Sequence, residues 1–307
     1  MIYTLTLNPA VDYYIDMNAL KEGELNNINN AYTLAGGKGI NVSKVLKNFN
    51  IENKAILLAG GFTGHFIKTD LELYNIESKI IELDNNTRIN IKLKTQNNET
   101  EIAGKSPDIS VEKINQLIEL IDNLLKDNDI LVLAGSVPYS IGNDIYSKII
   151  KKVKENKNIK IILDARDEAF KLAVGEKVFL TKPNSKELSE YFNKSIETKE
   201  DIIKYAKELI KDGSENVIIS LGKEGSILIT SNNEVYYGNA PHGKLISSVG
   251  CGDSMVAGIV YGISSGFDIV ESYKYAIASG SSTAFSEGLT TFENMKNILQ
   301  KVKIEKI

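Results

Sequence analysis

The sequence predicts an α/β fold with a mostly parallel central sheet, and three observations predict it. From Ser110 onward, short apolar runs alternate with segments of helical period. Those runs are apolar at consecutive positions, as strands covered on both faces are. One stretch departs from this rhythm and alternates in period two, so a small separate sheet is expected beside the main one. With 307 residues, 42% of them hydrophobic, the chain can bury a large core. No internal repeat or low-complexity linker divides it. The expectation is one continuous domain over residues 1–307, with lid strands at about 11–17 and 87–104 inserted within it.

In order along the chain, Ile2 to Leu7 reads as a strand of β-forming residues, and Val11 to Met17 as another. A polar stretch leads to AGGKGINVSKVLKNF, where Ile40, Val42, Val45, Leu46 and Phe49 fall at helical spacing. This predicts a helix from Gly39 to Phe49 that opens on three glycines. AILLAG (55–60) is a short buried strand and 64–74 a helix. RINIKLKT and ETEIAG, joined by Asn97 and Asn98, form a hairpin pattern within 87–104. Val111, Ile114, Leu117, Ile118, Ile121 and Leu125 share one face of a helix. Strand 129–135, helix 142–156, and strands 160–165 and 177–182 follow. Helices 185–192 and 199–212 and strand 216–222 come next. The pair GSILIT and EVYYGN then precedes helices at 252–265, 270–286 and 291–301.

Composition narrows the function classes. The net charge is −4 and no lysine- or arginine-rich block occurs, so neither nucleic acid nor an anionic membrane surface is an expected partner. The single cysteine, Cys251, rules out an intrachain disulfide. The N-terminus lacks the basic and apolar regions of a signal peptide, and no apolar run reaches transmembrane length. A cytoplasmic location is the expectation. His65 and His242 read as surface or packing residues, no His/Cys cluster has zinc spacing, and no Ser-His-Asp arrangement is indicated.

Four strings carry chemistry. In SSVGCGDSMVAGIVYG (247–262), Gly250 and Gly252 flank Cys251 just before Asp253 and an apolar helix. Glycines there let successive backbone N–H groups face one concavity at a helix N-terminus, where anions are favoured. That suits a phosphoryl group in transfer, with Asp253 at the rim to accept a hydroxyl proton. A plain N-cap role for Asp253 is the competing reading.

In AGGKGINVSK (35–44), Gly36, Gly37 and Gly39 allow close backbone approach, while Lys38 and Asn41 offer hydrogen bonds to hydroxyls or phosphate. The string has neither the Walker A spacing nor a dinucleotide fingerprint, and small-residue packing explains it equally well. In TKPNSKEL (181–188), Asn184 and Glu187 stand three apart across a helix start, the spacing of a capping box. That role is compatible with positioning magnesium-bound water near ATP. In SLGKEGS (220–226) a strand ends in two glycines, which fits nucleotide phosphates or ribose or a simple β-turn.

Together, and in this order and separation, the four strings resemble the ribokinase-type (PfkB) family of carbohydrate kinases, essentially from end to end. TLNPAVD (6–12), GELN (23–26), GGKGINV (36–42), AGSVP (134–138) and VGCGDSMVAG (249–258) look most like its bacterial 1-phosphofructokinase branch. The tagatose-6-phosphate kinase branch is the close neighbour, and Met255 leans toward the former. The resemblance implies a ribokinase-like three-layer α/β/α sandwich with a small β-sheet lid. It also implies ATP and Mg2+.

On the matching positions it implies sugar hydroxyl contacts from Asp12, Gly36, Gly37 and Asn41. Phosphate contacts are implied from Lys38, Arg88 and Ser136. ATP would meet Lys182, Asn184, Ser220, Leu221, Gly222, Lys223, Glu224, Gly225 and Gly252. Glu187 would hold magnesium through water. Gly250, Cys251 and Gly252 would form the anion hole, with Asp253 as base. Many members carry Asp-Thr where this chain has Ser247 and Ser248, so a potassium requirement does not carry over. Cys251 stands in place of the commoner alanine.

Three functional expectations follow. The first is phosphorylation of fructose 1-phosphate, the second the same chemistry on tagatose 6-phosphate. The third is a non-catalytic sugar-phosphate sensor, against which Asp253 argues, since a sensor has no use for a base. An unpaired edge and apolar face on the lid would be covered by a second copy, so a homodimer through 11–17 and 87–104 is expected.

Overall fold

The computed structural model describes residues 1–307. The strands are β1 (Ile2–Thr6), β2 (Ala10–Asp16), β3 (Asn30–Gly36), β4 (Asn53–Gly60), β5 (Glu77–Leu83), β6 (Ile89–Lys94) and β7 (Glu99–Ile102). They continue as β8 (Ile130–Ala134), β9 (Lys160–Asp164), β10 (Val178–Thr181), β11 (Ser214–Ser220), β12 (Ser226–Ile229), β13 (Val235–Gly238) and β14 (Ile304–Lys306). The helices are α1 (Lys38–Asn48), α2 (Gly61–Leu73), α3 (Val111–Leu124), α4 (Ile145–Lys154) and α5 (Asp167–Val174). The remaining five are α6 (Ser185–Phe192), α7 (Lys199–Asp212), α8 (Cys251–Ser264), α9 (Ile269–Ala284) and α10 (Phe292–Leu299).

Ten strands form the main sheet in the order β14-β13-β12-β11-β10-β9-β8-β1-β4-β5. From β11 to β5 neighbouring strands are parallel, and β12, β13 and β14 add an antiparallel margin. The chain winds outward from β1 in both directions, which leaves a crevice where the C-terminal ends of β1 and β8 meet. The apolar runs of the sequence are explained by two-sided burial. In β8, Leu131 and Leu133 enter one core with α3 to α7, while Ile130, Val132 and Ala134 enter the other with α1, α8, α9 and α10. Truncating a side chain such as Leu133, which is fully buried, costs about 2–5 kcal/mol.

The smaller sheet has the order β3-β2-β6-β7, with β2 antiparallel to β3 and parallel to β6. Val11 and Ala35 at its root share a cluster with Ile67 and Leu71 of α2. Its outer parts are wet: Tyr32, Leu34, Ile89 and Ile102 are exposed, and Tyr14 stacks on Tyr32 with ring centroids 4.7 Å apart.

The sequence expectations need four corrections. The polar stretch before Ala35 contains β3, whose residues are mostly exposed and so give no apolar run. β5, α5 and the short β14 were not anticipated. Within 87–104 only 89–94 and 99–102 are strand. The strand expected at 216–222 ends at Ser220, because Gly222–Glu224 turns into a 3-10 helix. No helix is long and apolar enough to cross a membrane.

α8 and α9 pack along a seam of small residues. A Cβ at Gly258 would stand 2.4 Å from the Tyr275 carbonyl oxygen, and one at Gly262 would stand 2.6 Å from Ser272. A Cβ at Gly280 would stand 2.4 Å from Met255. Ser254 accepts from Thr283 Oγ1 at 2.7 Å, so the first turn of α8 is fixed to the end of α9.

Candidate active site

The site is built where the parallel strands end. Asn8 follows β1, Ser136 follows β8, Asp164 closes β9, Lys182 follows β10 and Ser220 closes β11. α1 and α8 bring their first turns to the same place, because Asn41 Nδ2 donates to Asp253 Oδ2 at 2.7 Å.

Gly250 caps α8 in the left-handed region (φ 78°), where a side chain is disfavoured and would also strike Leu289 at 2.7 Å. Asp253 is therefore the third residue of the helix and not its cap, which removes the competing reading. Of the amides from 250 to 253 only that of Cys251 is engaged, with Ser248 O at 3.4 Å. The amides of Gly250, Gly252 and Asp253 are free to serve an anion at the positive end of the helix.

Asp253 is 7% exposed. Burial, and then the charge of Asp164, raise its carboxyl to about 6, while Lys38, Asn41 and Lys182 pull the other way. A carboxylate at this value is ionised at neutral pH yet basic enough to take a proton. Cys251 is half-buried, and burial raises its thiol to about 11, which leaves it a packing residue.

Asp164 was missed by the sequence reading. It is 1% exposed, and its Oδ1 meets Lys38 Nζ at 3.1 Å and Lys182 Nζ at 3.5 Å. Burial pushes its carboxyl up, but the two ammonium groups outweigh that and hold it below its ordinary value. Its Oδ2 is buried without a partner. Lys38 also feels Asp253 and Glu187, so this ammonium lies among three carboxylates. A signal was available in the sequence: an acid ending an apolar strand at the C-terminal edge of a parallel sheet.

On the side of the smaller sheet, Asn90 Nδ2 donates to Asp12 Oδ1 at 2.8 Å. Burial raises the Asp12 carboxyl above its ordinary value. A Cβ on Gly36 would stand 2.2 Å from Asp12 Oδ2, so glycine leaves the space this carboxylate occupies. Gly37 has φ 130°, and a side chain there would strike Thr6. Arg88 Nη2 donates to Asn8 O at 3.1 Å, and its Nε is buried without a partner. Asn8 Nδ2 donates to Ser136 Oγ at 3.1 Å and Asn8 Oδ1 accepts from Ser106 at 2.8 Å. Asn8, Asn90 and Ser106 were not anticipated, since isolated polar residues carry no pattern.

On the other side, Asn184 and Glu187 form the expected capping box of α6, with both bonds at 2.8 Å. Asn184 bridges to Ser220, which joins this box to the SLGKEG turn. In that turn Leu221 N donates to Gly225 O at 2.9 Å, Gly225 has φ 91°, and Lys223 and Glu224 are exposed. A Cβ on Gly252 would lie 3.2 Å from Lys182 Nζ, which sets the free amides of α8 beside that ammonium. His65 and His242 are exposed.

The arrangement joins a buried carboxylate, free amides and two held ammonium groups, flanked by the polar smaller sheet and a glycine turn. The sequence pattern of the pfkB family carbohydrate kinases matches residues 5–296. The chain is 44% identical to a 1-phosphofructokinase of Bacillus subtilis, over 100% of both chains. It is 33% identical to a tagatose-6-phosphate kinase of Staphylococcus epidermidis, over 86% of this chain and 85% of the relative. Phosphofructokinase-2 from Escherichia coli in complex with fructose-6-phosphate superposes with a TM-score of 0.90 at 26% identity, covering 97% of this chain and 98% of that one.

Proposed function

The chain belongs to the pfkB family of carbohydrate kinases, and from that premise we propose that it transfers the γ-phosphoryl group of ATP to fructose 1-phosphate. The products are fructose 1,6-bisphosphate and ADP. The full-length likeness to a 1-phosphofructokinase supports the acceptor. The observation that carries the chemistry is the buried Asp253 carboxylate beside the unengaged amides of α8.

Asp253 accepts the proton of the sugar hydroxyl as that oxygen forms its bond to the γ-phosphorus. The bond to the bridging oxygen breaks, and its electron pair leaves on ADP. The amides of Gly250, Gly252 and Asp253 receive the charge on the migrating group, and Lys38 and Lys182 add fixed positive charge beside it. Asp12, Gly36, Gly37 and Asn41 hold the sugar, Arg88 and Ser136 its phosphate, and the turn from Ser220 to Gly225 the nucleotide.

Magnesium fits the residues present. Asp164 has a buried oxygen without a partner, and Glu187 has one oxygen outside its capping bond. A magnesium ion keeps most of its water and takes one or two carboxylates besides phosphate oxygens. When bound, it supplies charge neutralisation and a template for the phosphates.

The whole chain acts as one kinase unit in the cytoplasm, with the four-stranded sheet as its lid. A second copy covers that lid, because β3 leaves an unpaired edge and exposed aromatic and aliphatic side chains. A second reading, phosphorylation of tagatose 6-phosphate, draws on the S. epidermidis relative. A sugar-phosphate sensor has no use for a buried base.

A panel of sugars and sugar phosphates with ATP and Mg2+, followed by coupled ADP release, tests this. The expected outcome is a kcat/KM for fructose 1-phosphate at least tenfold above that for any other acceptor. Preference for tagatose 6-phosphate would replace the first reading with the second, and no ADP release with any sugar would end both.

A further inference from the structure

Two of the 36 basic residues are arginines: Arg88 immediately precedes β6, and Arg166 lies between the end of β9 and α5. In a chain that otherwise uses lysine this calls for a reason. Arginine offers a rigid planar fork that matches two phosphate oxygens at once, which a lysine ammonium cannot do.

The fold sets Arg166 beside the Arg88 cluster. Ala134 of β8 and Asp164 of β9 are register partners, and Gly135 N donates to Asp164 O at 3.0 Å, which extends the ladder past the strand ends. Ser136 and Arg166 are thus the second residues beyond that pair on adjacent parallel strands. Ser136 Oγ is held by Asn8, and Asn8 O is held by Arg88.

Both guanidinium groups keep donors the protein does not use. The Arg88 Nε is buried without a partner, and the only ion pair of Arg166 is with its neighbour Asp167 at 3.7 Å, with 59% of its side chain exposed. Burial lowers the Arg88 guanidinium below its ordinary value; the Arg166 charge pushes the same way, while Asp12 and Glu101 oppose them. Like charges brought together with spare donors make a receptor for an anion. Asp167 holds φ 59° immediately after Arg166, so the chain turns sharply there to begin α5. Arg166 also shares a cavity wall with Glu187 of α6, so it borders the nucleotide side as well.

We propose that Arg166 is the second guanidinium of a clamp that grips the acceptor's own phosphate opposite Arg88 and makes the enzyme select phosphorylated sugars. The proposal rests on the reading that the acceptor is a sugar phosphate. It assigns Arg166 to the non-reacting phosphate, so binding of the acceptor should suffer when it is removed while the transfer step does not.

The test is steady-state kinetics of Arg166→Ala and Arg166→Lys on fructose 1-phosphate, with ATP varied in parallel and melting curves to verify folding. For Arg166→Ala the expected result is a KM for the sugar phosphate raised about 10–100-fold, with kcat and the KM for ATP within about twofold of wild type. Arg166→Lys keeps the charge but loses the fork and falls between them. A sugar-phosphate KM within twofold of wild type in Arg166→Ala overturns the proposal. So does a fall in kcat at unchanged KM, which would move Arg166 to the migrating phosphoryl group. Failure of the underlying reading shows separately, in wild type. If it is inert on fructose 1-phosphate but active on tagatose 6-phosphate, the KM ratio on that sugar decides the arginine.

Discussion

Asn41 and Asp253 lie 212 positions apart in sequence and 2.7 Å apart in space, joined by a hydrogen bond from the amide to the carboxylate. The bond fixes the angle of the carboxylate and favours its charged form, as the proposed role of base requires. Asp253→Asn keeps the shape and removes the proton acceptor. It should lower kcat about 10²–10⁴-fold while leaving the KM for ATP nearly unchanged. An unchanged kcat in steady-state assays would rule out the base.

The acid limb of the activity profile should report the same group. Asp253 stands at about 6, so kcat/KM for the sugar rises as pH passes through that value and levels off above it. Asp164 is, after burial, the next cause of the rise. Asp164→Asn leaves Lys38 and Lys182 uncompensated beside the base, so the limb should move to lower pH whatever happens to the plateau. A limb that stays in place or moves up would separate Asp164 from Asp253.

Stability should carry the opposite sign. The folded-state carboxyl of Asp253 lies above its unfolded value near 3.9, so the native state binds the extra proton between about pH 4 and 6. Its contribution to stability is therefore most favourable in acid and is lost as pH rises through 6. Asp253→Asn should be more stable than wild type by about 1–3 kcal/mol at pH 7, with the gap closing below pH 4. Urea denaturation at the two pH values measures it.

Gly36→Ala puts a methyl group where Asp12 Oδ2 lies, at 2.2 Å. The carboxylate must swing away and break its bond from Asn90. Sugar binding should weaken by about 10-fold or more, since misplacing a positioning group by an ångström costs up to about 10². Isothermal titration with the sugar phosphate reads this, and ATP affinity serves as the internal control.

The lid predicts a dimer that one charge can open. Tyr32 is 52% exposed on the edge strand β3, stacked on Tyr14. Tyr32→Glu should convert a dimer to a monomer by light scattering with little change in melting temperature. A wild-type monomer would end the dimer reading.

Much of this was legible in the sequence for identifiable reasons. α6 and α7 were expected at their observed bounds, and the cap of α6 was legible in Asn184 and Glu187; the structure adds Thr198 as the cap of α7. The sheet was legible because strands such as β8 are apolar on both faces. β3 was hidden because an exposed edge strand carries no apolar run. Asp253 and its flanking glycines were readable as a local string. Asn8 and Asn90 were not, because each acquires its meaning only across parallel strands or across the smaller sheet, and Asp164 was legible only as an acid closing an apolar strand. Local patterns reveal what the chain does within one turn of helix, and a site assembled from five strand ends exceeds that range.

The glycine seam between α8 and α9 has a further consequence. The height at which Asp253 is presented depends on two helices in close contact at Gly258, Gly262 and Gly280, where no room is left for a Cβ. A single methyl on that seam acts as a shim. It would lift the N-terminal end of α8 as one body, leaving every residue proposed to meet a ligand chemically intact but out of alignment. Lesions of this kind would look like loss of a catalytic group in an assay, although the altered atom lies in the packing behind the site.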